Sequence, residues 1–443
     1  MYRDLYAGGE RFRQSASNYL VRRHKEPSDV YNERLNRVFY ENYMGSIVDW
    51  YTATLFRREP VIQFDGANDR AKTFFDEFIG DCDRQGTTLA EFYRRRMTNV
   101  LIDGKTFIAV DFPRSETPAF SRAQEDAAGV SRAYLSEYTA DEVINWSHNH
   151  EGSLDWVVIR TSSLGMDDVT QDQWTRRTRW IYYDREHFEI YEGVEDAGAE
   201  APELVAKGNH ALAAQNRVPV FELAVSEGLW LLNKASQLQL EHFNKSNALS
   251  WALTMGLFAT PVIYSDREFS QIVGESYFIQ LSPQDRFGWA EPEGHVYQIA
   301  ADNLGRLKDE IYRICYLSNQ VSGSVDSRPS QSGLSKAWDF SVTQEILRAY
   351  GDGVKDSMRA ILTAIGEARQ DGLVVDVSGL DEFDIQDFAS ELADAQTLLG
   401  MGIPSETFKR QLFKRIALKY FCDARQEIKT QIADEIDRAL ESR

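Results

Sequence analysis

The chain has 443 residues, 43% of them apolar, and a formal net charge of −20. That length predicts about two to four domains with sizeable cores. Duplex DNA is polyanionic and is gripped by Lys and Arg that displace its counterions, so a chain this acidic is excluded as a conventional DNA binder; its charge suits solubility, or a surface that a polyanion passes without sticking.

The first strong helical pattern opens at Pro27-Ser28-Asp29, with Ser28 or Asp29 as N-cap. Val30, Leu35, Val38, Asn42, Ile47, Tyr51 and Leu55 follow one face of a single predicted helix, which stops before Glu59-Pro60. A second helix runs through Leu89, Phe92, Arg96 and Val100; Gly104 ends it, and Lys105 to Phe112 reads as a strand. Ser115 to Val130 is a polar, Ala-rich loop. Strands follow at Tyr134 to Tyr138, Trp156 to Thr161, Arg179 to Tyr183 and Phe188 to Glu192, with a short helical turn at Ala140 to Trp146. Strand after strand with short turns predicts antiparallel α+β structure. Glu195 to Gln215 reads as turn, and Val218 to Glu222 as a strand.

Leu229 to Gly256 is a long predicted helix with Leu232, Ala235, Leu238, His242, Ser246, Leu249 and Leu253 near one stripe. Its centre is polar, which predicts a helix bridging through solvent or packing in an assembly. Leu257 to Asp302 is strand-like, with Asp266, Glu268, Glu275, Asp285, Glu291, Glu293 and Asp302 against only Arg267 and Arg286. A helix returns at Leu304, Leu307, Ile311 and Ile314, so helix, small β module and helix form one excursion.

Ser318 to Gly333 then breaks the apolar pattern, and helical spacing resumes from Leu334 through Trp338, Val342, Ile346, Tyr350, Val354, Met358, Ile361 and Ile365. A long loop inside a compact domain is uncommon and is usually functional or disordered. This one, polar and rich in Ser and Gly, is read as projecting into a hole that the rest of the chain supplies. Gly351 and Gly353 each cost a helix about 1 kcal/mol relative to Ala, which predicts a kink there. Beyond Gly372 come an acidic stretch, a helix from Phe388 to Leu399 closed by Gly400 and Gly402, a helix after the N-cap Ser405, and a last helix to Ala439.

Signatures of catalysis are sparse. There is no Gly-x-x-x-x-Gly-Lys-Ser/Thr, no His-Glu-x-x-His and no Gly-x-Ser-x-Gly. His148 and His150 sit in a polar turn, read as exposed rather than metal-binding. Asp381, Glu382, Asp384 and Asp387 offer carboxylates for a divalent ion in a nucleic-acid-processing enzyme, but acids also favour a helix start for electrostatic reasons alone. Lys409, Arg410, Lys414, Arg415 and Lys419 lie along one helix, read as a solvated face or a contact to nucleic acid or an acidic neighbour. Three widely spaced cysteines, Cys82, Cys315 and Cys422, predict free thiols in a reducing compartment. Arg3, Asp4, Glu10 and Arg11 interrupt any secretory pattern, and the longest apolar run, Leu257 to Tyr264, is far below the roughly 20 residues of a membrane span.

The order of these parts resembles the portal proteins of tailed bacteriophages, from Tyr31-Asn-Glu-Arg34-Leu35-Asn-Arg37 and Leu55-Phe-Arg-Arg-Glu59-Pro60, through Tyr138-Thr-Ala-Asp141-Glu-Val-Ile144-Asn-Trp146 and the helix around Leu238 to Asn247, to Leu304–Asn319, Ser332-Gly333-Leu-Ser335-Lys336-Ala337 and Ile403-Pro404-Ser405-Glu-Thr407. The resemblance implies an α+β portal-like fold: an α/β wing (1–228), a first stem helix (229–257), a small β-containing clip (258–302), a second stem helix (303–317), a tunnel loop (318–333), a long wing helix (334–371) and a helical crown (372–443). The tunnel-loop residues are Ser322, Gly323, Ser324, Val325, Asp326, Ser327, Arg328, Pro329, Ser330 and Gln331. The clip residues Asp266, Glu268, Glu275, Asp285, Glu291 and Glu293 would meet partners.

It further implies no catalysis, no cofactor, no metal and no membrane, and a homo-oligomeric ring, typically a dodecamer, at one capsid vertex of the virion. Its implied partners are the terminase large subunit, major capsid and scaffold proteins, a head-tail adaptor, and double-stranded DNA passing without sequence readout. A metal-dependent nucleic-acid enzyme and a generic virion structural or adaptor protein are the alternatives.

Overall fold

A computed structural model describes residues 1–113, 132–166, 174–194, 201–257, 260–264, 284, 286–290, 294–317, 333–381, 383, 388–421, 424 and 426–441. In chain order the helices and strands are α1 (Tyr2–Ala7), α2 (Gly9–Ser15), α3 (Ser28–Asn36), α4 (Tyr43–Leu55), β1 (Val61–Asp65), α5 (Asp69–Gly80), α6 (Leu89–Asp103) and β2 (Lys105–Asp111). Next are β3 (Tyr134–Thr139), β4 (Val143–His148), β5 (Leu154–Met166), β6 (Trp174–Tyr183), β7 (His187–Val194), β8 (Glu203–Asn209) and β9 (Val220–Ala224). Then come α7 (Leu231–Leu257), β10 (Thr260–Tyr264), β11 (Arg286–Ala290), α8 (Gly294–Ile314), α9 (Gly333–Arg369), β12 (Val374–Ser378), α10 (Phe388–Gly400), α11 (Glu406–Tyr420) and α12 (Gln426–Glu441). The protein is a mixed helix and sheet structure in two compact units, one of Met1–Ile47 with Leu231–Asp339, the other of Val48–Trp230 with Phe340–Arg443.

In the unit of residues 1–47 and 231–339, α7 and α8 pair with the N-terminal helices. Phe12, Tyr40 and Phe243 form the aromatic centre, with Phe12 stacked on Tyr40 at 3.9 Å between centroids and edge-on to Phe243 at 4.9 Å. Glu26 and Arg34 make a buried pair at 2.7 Å, and Glu26 also accepts from the Arg23 N–H, so the charge is satisfied on both sides. The single helix expected from Pro27 to Leu55 is two helices. α3 ends at Asn36, and Asn42 starts α4 by accepting from the Gly45 N–H while its amide donates to the Tyr6 carbonyl. Side-chain hydrogen bonds have replaced the helical ones between 37 and 42. Pro27, not Ser28 or Asp29, occupies the cap position of α3.

In the unit of residues 48–230 and 340–443, α9 is the packing axis. Leu347, Tyr350, Val354, Met358, Ile361, Leu362 and Ile365 are buried along it. Tyr350 donates to the Leu229 carbonyl at 2.6 Å, and Ser357 bonds the Tyr93 hydroxyl at 3.0 Å. The three-stranded sheet β3-β2-β9 and the five-stranded sheet β4-β5-β6-β7-β8 are antiparallel throughout and share a core of Phe107, Val157, Ile159, Ile181, Phe188 and Val220. Gly104 ends α6 in the left-handed region (φ 86°), and a Cβ there would sit 3.0 Å from the Trp230 ring, whose Nε1 donates to the Ile102 carbonyl.

Other expectations shift. Strand β8 occupies part of the stretch read as turn, and 140–142 is a turn from which β4 starts at Val143. α8 begins at Gly294, ten residues before Leu304 and inside the stretch read as strand-like. β1 and β12, unread in the sequence, pair in antiparallel register from Val61↔Ser378 to Asp65↔Val374. Each is five residues long with two inward side chains, too few for periodicity to register.

α9 runs through both glycines without interruption. A Cβ at Gly351 would lie 2.1 Å from the Leu380 carbonyl oxygen, whereas nothing lies within 4 Å of one at Gly353. Gly351 therefore admits the returning backbone; it is a contact requirement and not a hinge. Gly351→Ala should lose about 1–3 kcal/mol through overpacking. Gly353→Ala should gain up to about 1 kcal/mol from helix propensity. Calorimetric melting of the two variants against the parent protein checks the opposite signs.

Candidate functional site: a helix pair with a terminal hairpin

α7 and α8 lie side by side and antiparallel. Lys234 Nζ reaches the Tyr316 hydroxyl at 2.8 Å, Lys245 Nζ reaches Asn303 Oδ1 at 3.0 Å, and the Tyr297 hydroxyl donates to the Ala252 carbonyl at 3.3 Å. At the far end the chain turns through the two-stranded antiparallel ladder β10–β11, paired from Thr260↔Ala290 to Tyr264↔Arg286. Along α8, Arg306, Asp309 and Arg313 are exposed, and Arg313 pairs with Glu310 one turn back. Near the hairpin, Leu253, Tyr264, Val296 and Ile299 are exposed apolar side chains on this same unit.

One side of the polar centre of α7 does not face solvent, although Gln237, Glu241 and Lys245 are exposed. Gln239, His242, Ser246 and Asn247 are all buried. Asn247 closes a two-bond ring on the backbone of Phe39, accepting from its N–H at 3.1 Å and donating to its carbonyl at 2.9 Å. Asn244 does the same across two residues, accepting from the Val21 N–H and donating to the Tyr19 carbonyl. Gln239 donates to the Glu41 carbonyl at 2.9 Å. The expectation of a solvent-bridging helix is corrected along this stripe: the backbone at Tyr19, Val21, Phe39 and Glu41 is not helical, and the amides of α7 satisfy its polar groups. A sequence signal existed, because the polar residues continue the stripe begun by the buried Leu232 and Ala235.

Around Glu41 the side chains are close-set. The Tyr43 hydroxyl donates to Glu41 Oε2 at 2.5 Å, and His242 Nε2 lies 3.5 Å from the same oxygen. Tyr43 stands edge-on to the His242 ring at 5.1 Å and also meets Tyr312 at 6.1 Å. Burial first, and the Glu41 hydrogen bond second, push the Tyr43 phenol well above its ordinary range.

The loop residues Ser322 to Gln331 and the acidic residues Asp266, Glu268, Glu275, Asp285, Glu291 and Glu293 lie outside the described residues. Of the four carboxylates weighed for a divalent ion, Asp381 is described and exposed, and Glu382, Asp384 and Asp387 lie outside. Among the described residues no group of three or more His, Cys, Asp or Glu is placed to hold a metal. His148 Nε2 is 3.7 Å from Glu222 Oε2. Cys82 and Cys315 are buried and form no disulfide with each other, and burial pushes the Cys315 thiol up to about 12. No described helix is long and apolar enough to cross a membrane.

The basic helix is partly neutralised from within. Lys414 is buried and bonds Asp437 at 2.8 Å, and Lys409 pairs with Glu406 at 2.9 Å. Arg415 faces a cleft of about 340 Å³ together with Arg58, Glu59, Gln63, Asp376 and Asp381, in which neither sign of charge prevails.

No family model matches the chain, and no curated protein matches it. Among solved structures it is similar to a chain in the neck of an empty gene transfer agent particle computed with C6 symmetry, at TM-score 0.42 and 13% identity over 90% of this chain and 97% of that one. It is also similar to a chain in the virion of the native gene transfer agent particle, at TM-score 0.39 and 12% identity with the same coverage.

Because Asn247 satisfies two buried backbone groups, Asn247→Ala should destabilise the protein by about 1–3 kcal/mol. Ser250→Ala, on the exposed side of the same helix, should be within about 0.5 kcal/mol of the parent. Thermal unfolding followed by circular dichroism separates the two.

Proposed function

We propose that this chain is a portal protein, the ring-forming conduit through which duplex DNA enters and leaves a tailed-phage-type particle. One observation carries the reading: an antiparallel helix pair, α7 and α8, with a short β ladder at its far end and a Ser/Gly-rich polar segment between its second helix and a long third helix, α9. In a portal these parts correspond to stem, clip, tunnel loop and wing helix, with 372–443 as the crown. The residue patterns shared with portal proteins fall on the same parts in the same order.

The physical chemistry agrees. A ring needs head-to-tail contacts that close by rotation, and a projecting helix pair has two flanks to offer neighbours. A formal charge of −20 disfavours retention of phosphates in a bore, where a lining of lysines would bind them and slow passage. In this reading the acidic residues of 258–302 meet the packaging motor and later the head-completion proteins, and the protein is a non-enzymatic, homo-oligomeric virion component.

Light scattering and negative-stain microscopy test this directly. The expected result is a large homo-oligomer, typically twelve-fold, with a central hole; a monomer at every salt and protein concentration overturns it. Deleting residues 322–331 should leave assembly intact and impair DNA packaging or retention. Loss of the ring in that deletion would refute the loop assignment.

A further inference from the structure

The side chains around Glu41 do more than fix the segment that joins α3 to α4. Glu41 is held by its carbonyl, which accepts from Gln239, and by its carboxylate, which accepts from Tyr43 and lies 3.5 Å from His242. His242 is 2% exposed, whereas the Glu41 side chain is 44% exposed. His242 Nδ1 and, one turn earlier on α7, Gln239 Oε1 are both buried without a hydrogen-bond partner. The charged and titratable groups facing the imidazole are Glu41 on the joining segment, Tyr43 on α4 and Lys308 on α8, with Tyr312 of α8 against the Tyr43 ring. Lys308 also stands over the Tyr43 ring at 5.9 Å.

A neutral imidazole fits this setting: one nitrogen faces Glu41 and the other, Nδ1, has no hydrogen-bond partner. A second proton on the ring would leave a buried N–H unpaired in this arrangement, beside a lysine. The Glu41 carboxylate opposes that penalty weakly, since it shares its charge with water and with Tyr43.

We propose that this junction is an acid-sensitive latch: with His242 neutral it holds residues 37–42 on α7, and proton uptake at His242 releases them. Burial holds the imidazole below its ordinary range, Glu41 works in the opposite direction, and Lys308 adds to the depression. The sign follows from linkage. The released state titrates near the ordinary value of about 6.5 and the latched state below it, so the released state binds more protons. The stabilisation is complete above about 6.5 and is lost as pH falls through the depressed value.

Hydrogen exchange of the full chain, read by mass spectrometry on peptides covering residues 37–43 and corrected for intrinsic rates, tests this without reference to ring formation. Between about pH 7.5 and 5.5 the opening of this segment should increase, up to about tenfold for each unit by which His242 is depressed. His242→Gln should flatten the response. Glu41→Gln removes the opposing carboxylate and should enlarge the pH-dependent rise. That variant also carries the test if His242→Gln does not fold. No rise in the parent protein, an equal rise in His242→Gln, or a smaller rise in Glu41→Gln would overturn the proposal.

Discussion

Three side-chain amides on one helix face organise the N-terminal unit. Gln239, Asn244 and Asn247 bond the main chain of residues 19–41, a stretch broken twice by non-helical backbone. A buried backbone group without a partner is costly, and here the partners come from a helix 198 to 225 residues away in sequence. Asn is suited to this because its side chain presents a donor and an acceptor in the geometry of a peptide group. The helix therefore sacrifices apolar contact at its centre and becomes a template for the non-helical backbone on either side of α3.

The second unit solves a similar problem by close packing. Its axis, α9, buries one long apolar face and accepts the backbone of Leu380 against Gly351. β12 follows directly and pairs with β1, so two strands separated by some 300 residues close around this helix. The glycine is tolerated in the helix because contact with the returning chain offsets its poor propensity. The sheets β3-β2-β9 and β4 to β8 form their own shared core in the same unit.

The functional reading rests on the helix pair. α7 and α8 are joined along their length by Lys234–Tyr316, Lys245–Asn303 and Tyr297–Ala252, so the β ladder between them is carried at the end of a braced support. On the basic helix, Lys409 pairs with Glu406 and Lys414 with Asp437, which offsets part of its positive charge.

By itself the sequence determined several long helices, the strands around 134–138, 156–161, 179–183 and 188–192 and several stops, because these depend on local periodicity and local chemistry; β4 at Val143–His148 lies hidden in a stretch that reads as a helical turn. Gly104 ended its helix by adopting a left-handed conformation, and Ser405 capped the next by accepting from the Phe408 N–H. Only the tertiary structure decided that α3 and α4 are separate, that one side of the polar centre of α7 is buried, that Gly351 marks a contact, and that β1 finds β12. Each of these depends on a partner far away in the chain, and a five-residue strand or a capping asparagine carries no periodic signal that would announce it.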